Sequence, residues 1–180
     1  MMKLIEKNPE VFVAVSDIVE IGETELSFLK AQVLKTPRKR ARICAHREGS
    51  DALHEMIIVI SEASYIHPHR HVGKSESFHI IDGKADVVIF DDTGDIETVV
   101  ELGPRGSGRH FFYRLSRPLY HTVVLRSEML VMHEVTNGPF NLDDTDYASF
   151  APKEDDVSLV KEYSSALNKR IEEFFENRGV

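Results

Sequence analysis

Residues 77–90 read Ser-Phe-His-Ile-Ile-Asp-Gly-Lys-Ala-Asp-Val-Val-Ile-Phe, a pattern typical of two antiparallel strands joined by a tight turn. β-Branched and aromatic residues dominate both halves, which favours extended backbone. Asp82-Gly83 lies between the halves and is a strong turn signal. This stretch therefore predicts a β-hairpin in the middle of the chain.

Further strands are predicted on both sides of this hairpin, with turn signals between them. They cover residues 11–15, 40–46, 56–60, 96–102, 111–115, 121–125 and 129–135. Strands that recur about every ten residues favour a sandwich, jelly roll or barrel. Helical periodicity predicts helices at residues 23–34 and 157–178, and the polar stretch 141–152 is expected to be a loop. The predicted fold is all-β with helical extensions at both ends.

The segment directly before the hairpin carries histidines at alternate positions: His67-Pro68-His69-Arg70-His71-Val72-Gly73-Lys74-Ser75-Glu76. Because residues two apart in a strand point to the same side, His69 and His71 can direct both imidazoles to one point. Glu76 can bring a carboxylate to that point, and this donor set suits a first-row divalent metal ion. Burial of three such groups without a metal or a partner would be costly. His67 shares the same side, so it could replace one of the two ligands or lie behind them.

A fourth ligand is expected from a distant strand, and His121 is the best candidate. It begins an apolar strand after a turn that contains proline, where a side chain can point into a barrel. The alternative is a partly buried histidine that forms hydrogen bonds and binds no metal.

Several polar side chains are candidates for substrate binding near the metal. Arg40 and Arg42 share one side of a predicted strand, and guanidinium groups bind carboxylate or phosphate through two parallel hydrogen bonds. Lys74 lies in the loop that carries the glutamate. The alternatives are a solvated basic strand edge and an ordinary exposed loop lysine. Tyr120 is expected to form a wall of the cavity or to donate a proton. Glu134 is a candidate general base, although its strand phase stays open.

The overall composition excludes several classes of protein. The net charge of −8, from 22 basic and 30 acidic residues, argues against general affinity for nucleic acid or anionic membranes. Cys44 is the single cysteine, so an intramolecular disulfide cannot form. The sequence has no apolar run of roughly 18 residues and no signal-peptide pattern. A reducing, cytoplasmic location is therefore expected.

The pattern His69-x-His71-x4-Glu76-x6-Gly83 resembles the first motif of the cupin family. Cupins are double-stranded β-helix (jelly-roll) barrels, and the resemblance implies that fold here. The second cupin motif contributes one more histidine, and the resemblance carries this role to His121. In this chain the stretch before it has Pro118 where cupins usually have glycine.

A closer resemblance covers most of residues 37–152. The chain is similar to the WbuC-type cupin fold metalloproteins, which occur among bacterial surface-polysaccharide (O-antigen) genes. The matching stretches are Pro37-Arg38-Lys39-Arg40-Ala41-Arg42 ending at His46; His67-Pro68-His69-Arg70-His71 with Lys74 and Glu76; Val88-Ile89-Phe90-Asp91-Asp92-Thr93-Gly94; Glu134-Val135 with Gly138-Pro139-Phe140; and Asp146 with Phe150-Ala151-Pro152. This family tends to have asparagine at Cys44, and tryptophan at Tyr120 and Phe150. The resemblance implies a metal and a fold, and leaves the reaction open.

The expected organisation is an N-terminal extension over residues 1–36, a cupin barrel over 37–152 and a C-terminal helical segment over 153–180. The expected cofactor is one divalent transition metal ion: iron, manganese, nickel or zinc. Four protein ligands leave up to two positions on a six-coordinate ion for a substrate or O2. A metal-dependent isomerase or dioxygenase that acts on a small anionic or sugar-derived molecule is the first hypothesis. The second is a binding or sensing protein without catalysis. A homodimer is expected in either case.

Overall fold

The computed structural model describes residues 2–179. Within this range the chain forms, in order, β1 (Leu4–Asn8), β2 (Val11–Ala14), α1 (Glu23–Val33), β3 (Arg40–Cys44), β4 (Leu53–Ser61), β5 (His69–His71), β6 (Glu76–Asp82), β7 (Ala85–Phe90), β8 (Ile96–Leu102), β9 (Phe112–Leu115), β10 (Tyr120–Leu125), β11 (Met129–Asn137), a 3₁₀ turn (Leu142–Asp144), β12 (Thr145–Tyr147) and α2 (Val157–Asn177).

The strands from β4 to β11 are divided between two sheets. In the first sheet the neighbours are β4, β11, β6 and β9, and in the second they are β5, β10, β7 and β8. This order, in which the first strand pairs with the last and each next pair lies inside it, is the jelly roll. The predicted double-stranded β-helix (jelly-roll) barrel is therefore confirmed. β1, β2 and β3 extend the first sheet beyond β4, and β12 extends the second sheet beyond β5.

Alternate apolar residues of the two sheets fill the space between them. The inner core includes Cys44, Met56, Ile58, Ile60, Phe78, Ile80, Val87, Ile89, Tyr113, Val123, Leu130 and Met132. Since side chains alternate along a strand, these residues fix which neighbours face inward and which face outward. The phase of each strand therefore decides which polar side chains reach the barrel interior.

The two helices cover the outer faces of the sheets. Leu29 and Val33 of α1 pack with Ile43 and Val59 on the outer face of the first sheet. Leu167 and Ile171 of α2 pack in a separate cluster on the outer face of the second sheet. Both helices begin where predicted and end one residue earlier. In the described range, neither is long and apolar enough to cross a membrane.

Some strands differ from the sequence prediction. Residues 145–147 form β12 inside the predicted loop, where Thr145 pairs with His71 and Tyr147 with His69. β1 was also not predicted, and it pairs with β2 at the margin of the first sheet. Both segments are short and rich in polar residues, so backbone hydrogen bonds rather than apolar alternation hold them. The proposed boundaries at residues 36/37 and 152/153 stay predictions.

Candidate metal centre

Two neighbouring strands of the second sheet carry the three histidines of the site. His69 and His71 lie on β5, His121 lies on β10, and the register pairs His121 directly with His69. One ring nitrogen of each histidine lies within 4.8 Å of those of the other two. A single ion can therefore contact all three imidazoles.

The Nδ1 atoms of His69 and His121 contact backbone carbonyls outside the cluster. His69 Nδ1 lies 2.8 Å from the carbonyl oxygen of His67, and His121 Nδ1 lies 3.0 Å from that of Leu119. A carbonyl oxygen can only accept a hydrogen bond, so in each neutral ring Nδ1 carries the proton and Nε2 keeps its lone pair. This tautomer is the one that a histidine needs to bind a metal through Nε2.

His71 is held by a side chain instead of a carbonyl. Its Nδ1 lies 3.4 Å from the hydroxyl oxygen of Thr145, the residue that pairs with His71 across β5 and β12. The unpredicted strand β12 therefore supports the orientation of this imidazole.

Glu76 approaches the histidines from the first sheet, at the start of β6, and it is 3% exposed. Its Oε1 lies 2.8 Å from Nε2 of His121, and its Oε2 lies 3.5 Å from Nε2 of His71. Glu76 Oε1 and His121 Nε2 are buried, yet neither has a partner of hydrogen-bonding geometry among residues 2–179. Two ligand atoms at about 2.1 Å from one ion and at a right angle to each other would be about 3 Å apart. The donor types and the unpaired atoms therefore fit a bound metal.

Burial and charge set the protonation of these groups. Burial raises the pKa of the Glu76 carboxyl, but the imidazoles of His121 and His71 outweigh it, so that this pKa lies below its usual range. Burial together with His121 lowers the pKa of His69 to about 3. Burial opposes protonation of His121, but Glu76 prevails and raises the pKa of this imidazole. A divalent ion bound at Nε2 of His121 would oppose protonation of that atom.

Arg42 and Glu134 also lie on the inner side of the first sheet. Glu134 follows Leu130 and Met132 of the inner core in the same phase, which answers the question that the sequence left open. Burial and the Glu76 carboxylate raise its pKa to about 7. Arg42 lies two residues before Cys44 on β3, so both side chains are on the inner side of that strand. The Nε atom of Arg42 is buried without a hydrogen-bond partner in the described part of the chain.

Arg40 and Lys74, which the sequence also suggested for substrate binding, contact other parts of the protein. The guanidinium of Arg40 donates to Oε2 of Glu154 at 3.2 Å. Lys74 donates to the carbonyl oxygen of Pro139 at 2.7 Å and lies 3.0 Å from Asp144 Oδ2. These contacts join segments of the fold, so the structure does not bring either residue to the histidines.

Tyr120 faces away from the site, which corrects the expectation that it lines the cavity. Because His121 points inward, its neighbour on the same strand must point outward. The hydroxyl of Tyr120 donates to Asp146 Oδ2 at 2.9 Å, and the guanidinium of Arg70 lies 4.4 Å from the ring centroid. Tyr120 therefore packs outside the barrel, in the cluster beneath α2.

His67 likewise stays out of the cluster. Its Nε2 lies 3.1 Å from the carbonyl oxygen of Ala148, and its ring lies against Tyr147, with ring centroids 5.1 Å apart. His67 could have replaced His69 or His71 as a ligand, or could have been behind them. In the structure it lies behind the site.

Sequence reasoning missed Tyr113, which lies on the inner side of β9. It pairs with Phe78 of β6 and is 8% exposed. The alternation of Tyr113 and Leu115 with the polar Arg114 was an available signal. Phe111 and Phe112 obscure it because they put apolar residues in both phases.

Comparison with known proteins supports the fold and provides little information about function. A family model described as "Domain of unknown function (DUF6016)" matches residues 21–102, less than half of the chain. No curated protein matches the sequence. Protein SO0799 from Shewanella oneidensis is similar in structure, with a TM-score of 0.51 and 12% identity over 70% of this chain and 82% of that one. At this identity the likeness shows the fold alone.

Two weaker structural matches are an enzyme and a cupin domain. Oxalate decarboxylase from Bacillus subtilis matches with a TM-score of 0.42 and 19% identity, over 54% of this chain and 24% of that one. The cupin domain of Cnp3 from Schizosaccharomyces pombe matches with a TM-score of 0.42 and 13% identity, over 55% and 64% of the two chains. The jelly-roll fold therefore rests on the strand order, and the histidine cluster is one that could hold a metal ion.

Proposed function

We propose that this protein is a metal-dependent enzyme of the isomerase or dioxygenase type that acts on a small anionic or sugar-derived molecule. The observation that carries the proposal is the inward-facing cluster of His69, His71 and His121 beside Glu76. The three Nδ1 atoms are the ring nitrogens that contact the surrounding fold, and the buried Oε1 of Glu76 has no hydrogen-bond partner among residues 2–179. Such a set of donors is costly to bury unless a cation completes it.

One divalent transition metal ion, such as iron, manganese, nickel or zinc, would be held by His69, His71, Glu76 and His121. When bound, the ion supplies Lewis-acid polarisation of a carbonyl or enediol, or activation of O2. The imidazole tautomers and the low carboxyl pKa prepare the protein side of the site for binding at neutral pH.

Arg42 and Glu134 are the residues of the barrel wall that would act on the substrate. The guanidinium of Arg42 can bind an anionic group, since its buried Nε has no partner within residues 2–179. Glu134, with a pKa of about 7, can accept a proton from a substrate carbon or oxygen and return it. Arg40 and Lys74 would bind substrate only if they exchanged their present partners, Glu154 and Asp144.

The residue resemblance to WbuC-type cupins supports a role among surface-polysaccharide reactions. The alternative function is a cupin that binds or senses a small ligand without converting it. The two hypotheses share the metal and the Arg42 contact, and they differ in whether Glu134 exchanges protons with the ligand.

Elemental analysis of the purified protein tests the metal site. We expect about one equivalent of a transition metal in the wild type and less than a tenth of that in His69→Ala and Glu76→Ala, because each removes a ligand. His79→Ala is the matched control, since His79 lies on the exposed side of β6. Full metal content in both ligand variants would refute the assignment of the site.

A substrate panel of sugar acids separates the enzyme from the binding protein. Oxygen uptake and isomer formation are measured for the wild type and for Glu134→Gln at equal metal content. For the enzyme we expect the variant to lose roughly 10²–10⁴-fold in kcat, the usual contribution of a general acid or base. Binding of a panel member without turnover in the wild type would favour the alternative.

A further inference from the structure

We infer that Tyr113 is a substrate-binding residue whose hydroxyl donates a hydrogen bond to an oxygen of a sugar acid seated beside Glu76, with the acid's carboxylate on Arg42. The inference rests on the proposed function and adds to it the class of ligand and a residue that contacts it. Three structural observations support it.

The first observation is the unpaired hydroxyl itself. Tyr113 is 8% exposed, and its hydroxyl oxygen is buried without a hydrogen-bond partner among residues 2–179. A buried hydroxyl without a partner destabilises the folded state. A ligand that accepts its hydrogen bond would remove this penalty.

The second observation is the place of the hydroxyl in the barrel. Tyr113 pairs with Phe78, and the two rings lie 5.4 Å apart between centroids at an angle of 33°. Glu76 lies two residues before Phe78 on β6, so it shares the inner side of that strand. Burial raises the pKa of the Tyr113 phenol above its usual value, and the Glu76 carboxylate raises it further. The hydroxyl therefore stays protonated beside the metal-binding carboxylate.

Other tyrosines show that this arrangement is specific. Tyr65 donates to the carbonyl oxygen of Pro152 at 3.0 Å, so its hydroxyl is satisfied within the fold. The hydroxyl of Tyr163 is also buried without a partner in the described range, but this residue lies on α2, outside the barrel. Tyr113 has both an unpaired hydroxyl and a position on the inner wall next to Glu76.

The third observation concerns the length of the ligand. Arg42 lies on β3 and Tyr113 on β9, with β4, β11 and β6 between them in the sheet. The two side chains therefore start from non-neighbouring strands, whose backbones lie about 4.8 Å apart at each step. A ligand that contacts both needs an acceptor oxygen at a distance from its carboxylate. A sugar acid has a carboxylate at one end and hydroxyl oxygens several bonds away, and it fits this spacing.

Calorimetric titration of D-gluconate into the metal-loaded protein tests the inference. We expect Tyr113→Phe to weaken gluconate binding five- to tenfold at unchanged metal content, the usual effect of losing one hydrogen bond. Glycolate, the two-carbon hydroxy acid, should bind the wild type more weakly than gluconate and lose little affinity in Tyr113→Phe.

A second readout needs neither metal nor ligand. In the metal-free protein, Tyr113→Phe should raise the midpoint temperature of unfolding (Tm) by about 2–4 °C, because it removes a buried unpaired hydroxyl. Tyr163→Phe is the matched control: it should raise Tm in the same way and leave gluconate affinity unchanged. Tyr65→Phe loses a satisfied hydrogen bond and should lower Tm.

Two results overturn the inference while the proposed function stands. They are a metal-loaded wild type that does not bind gluconate, and a Tyr113→Phe variant that binds gluconate as tightly as the wild type. Absence of metal from the purified wild type would instead overturn the proposed function. The metal analysis and the titration thus distinguish the two failures.

Discussion

His69 makes the stability of the metal-free protein depend on pH. Its pKa in the folded chain is about 3, against an ordinary value of 6.5. Between these values the unfolded chain binds a proton that the folded chain does not. The contribution of His69 to the free energy of unfolding is therefore fully present above pH 6.5 and falls as the pH decreases. From this group we expect a loss of at most about 2 kcal/mol in unfolding free energy between pH 8 and pH 5.

Urea unfolding in the presence of a chelator at pH 8, 6.5 and 5 measures this effect. His69→Gln has no titrating group at the position, so the stability difference between wild type and variant should shift in favour of the variant as the pH falls. A difference that stays constant across the three pH values would contradict the assigned burial and charge of His69.

Alternation along single strands explains which site residues could be predicted. The spacing of His69, His71 and Glu76 was readable because two-residue periodicity puts the two histidines on one side of β5. The same rule, applied to the residue beside His121, would have turned Tyr120 outward. The inward direction of Tyr113 could be inferred from alternation, but the lack of a hydrogen-bond partner for its hydroxyl within residues 2–179 is a property of the three-dimensional packing.

Helix α2 is an element that apolar periodicity in the sequence was sufficient to predict. Leu167 and Ile171 are 4% and 1% exposed and pack on Val88 and Phe90 of the second sheet. Asn168 adds a hydrogen bond that it accepts from Arg126 at 2.6 Å. These contacts attach the helix to the barrel face opposite the metal site.

Leu167→Ala should therefore destabilise the protein without a change in metal content. Removal of a buried leucine side chain costs roughly 3 kcal/mol, which lowers Tm by about 6–12 °C in a protein of this size. Calorimetry measures the shift, and Lys169→Ala is the control because its side chain is 78% exposed. If Leu167→Ala melts like the control, the packing of α2 described above is incorrect.

Short polar strands were the elements that the sequence could not reveal. β12 has three residues, and its pairing with β5 depends on a partner 74 residues away, as between Thr145 and His71. No local pattern encodes such a pairing, whereas the turn signal Asp82-Gly83 predicts the hairpin of β6 and β7. The β12 contribution to the site was missed for the same reason.

At the scale of the whole molecule, a metal ion at the proposed site would join the two sheets of the barrel. His69, His71 and His121 belong to the second sheet, while Glu76 belongs to the first. Since the unfolded chain does not hold these groups together, metal binding stabilises the folded state. At a free metal concentration of 1,000 times Kd the gain is about 4 kcal/mol.

Chelation should accordingly lower the Tm of the wild type by roughly 8–16 °C. Scanning calorimetry with and without a chelator measures the effect. His121→Ala, which lacks one of the ligands, should melt at a temperature that the chelator does not change. Equal Tm values for the loaded and the chelated wild type would indicate that the ion does not connect the sheets.

The homodimer, the cytoplasmic location and the three-part division of the chain stay predictions. They depend on surfaces, cellular context and boundaries that neither the motif spacing nor the barrel topology addresses. The lack of affinity for nucleic acid, which the net charge of −8 predicts, also stays a prediction.

The pairing of β12 with β5 has a kinetic consequence. Two of the three imidazoles are on a strand of three residues, and this strand has β10 on one side and β12 on the other. If β12 detached, His71 would lose the hydroxyl that steadies it and would be the first ligand to leave a bound ion. The lifetime of that ion would then depend on a segment that supplies none of its ligands, so substitutions there would change dissociation rates before they changed the identity of the ion.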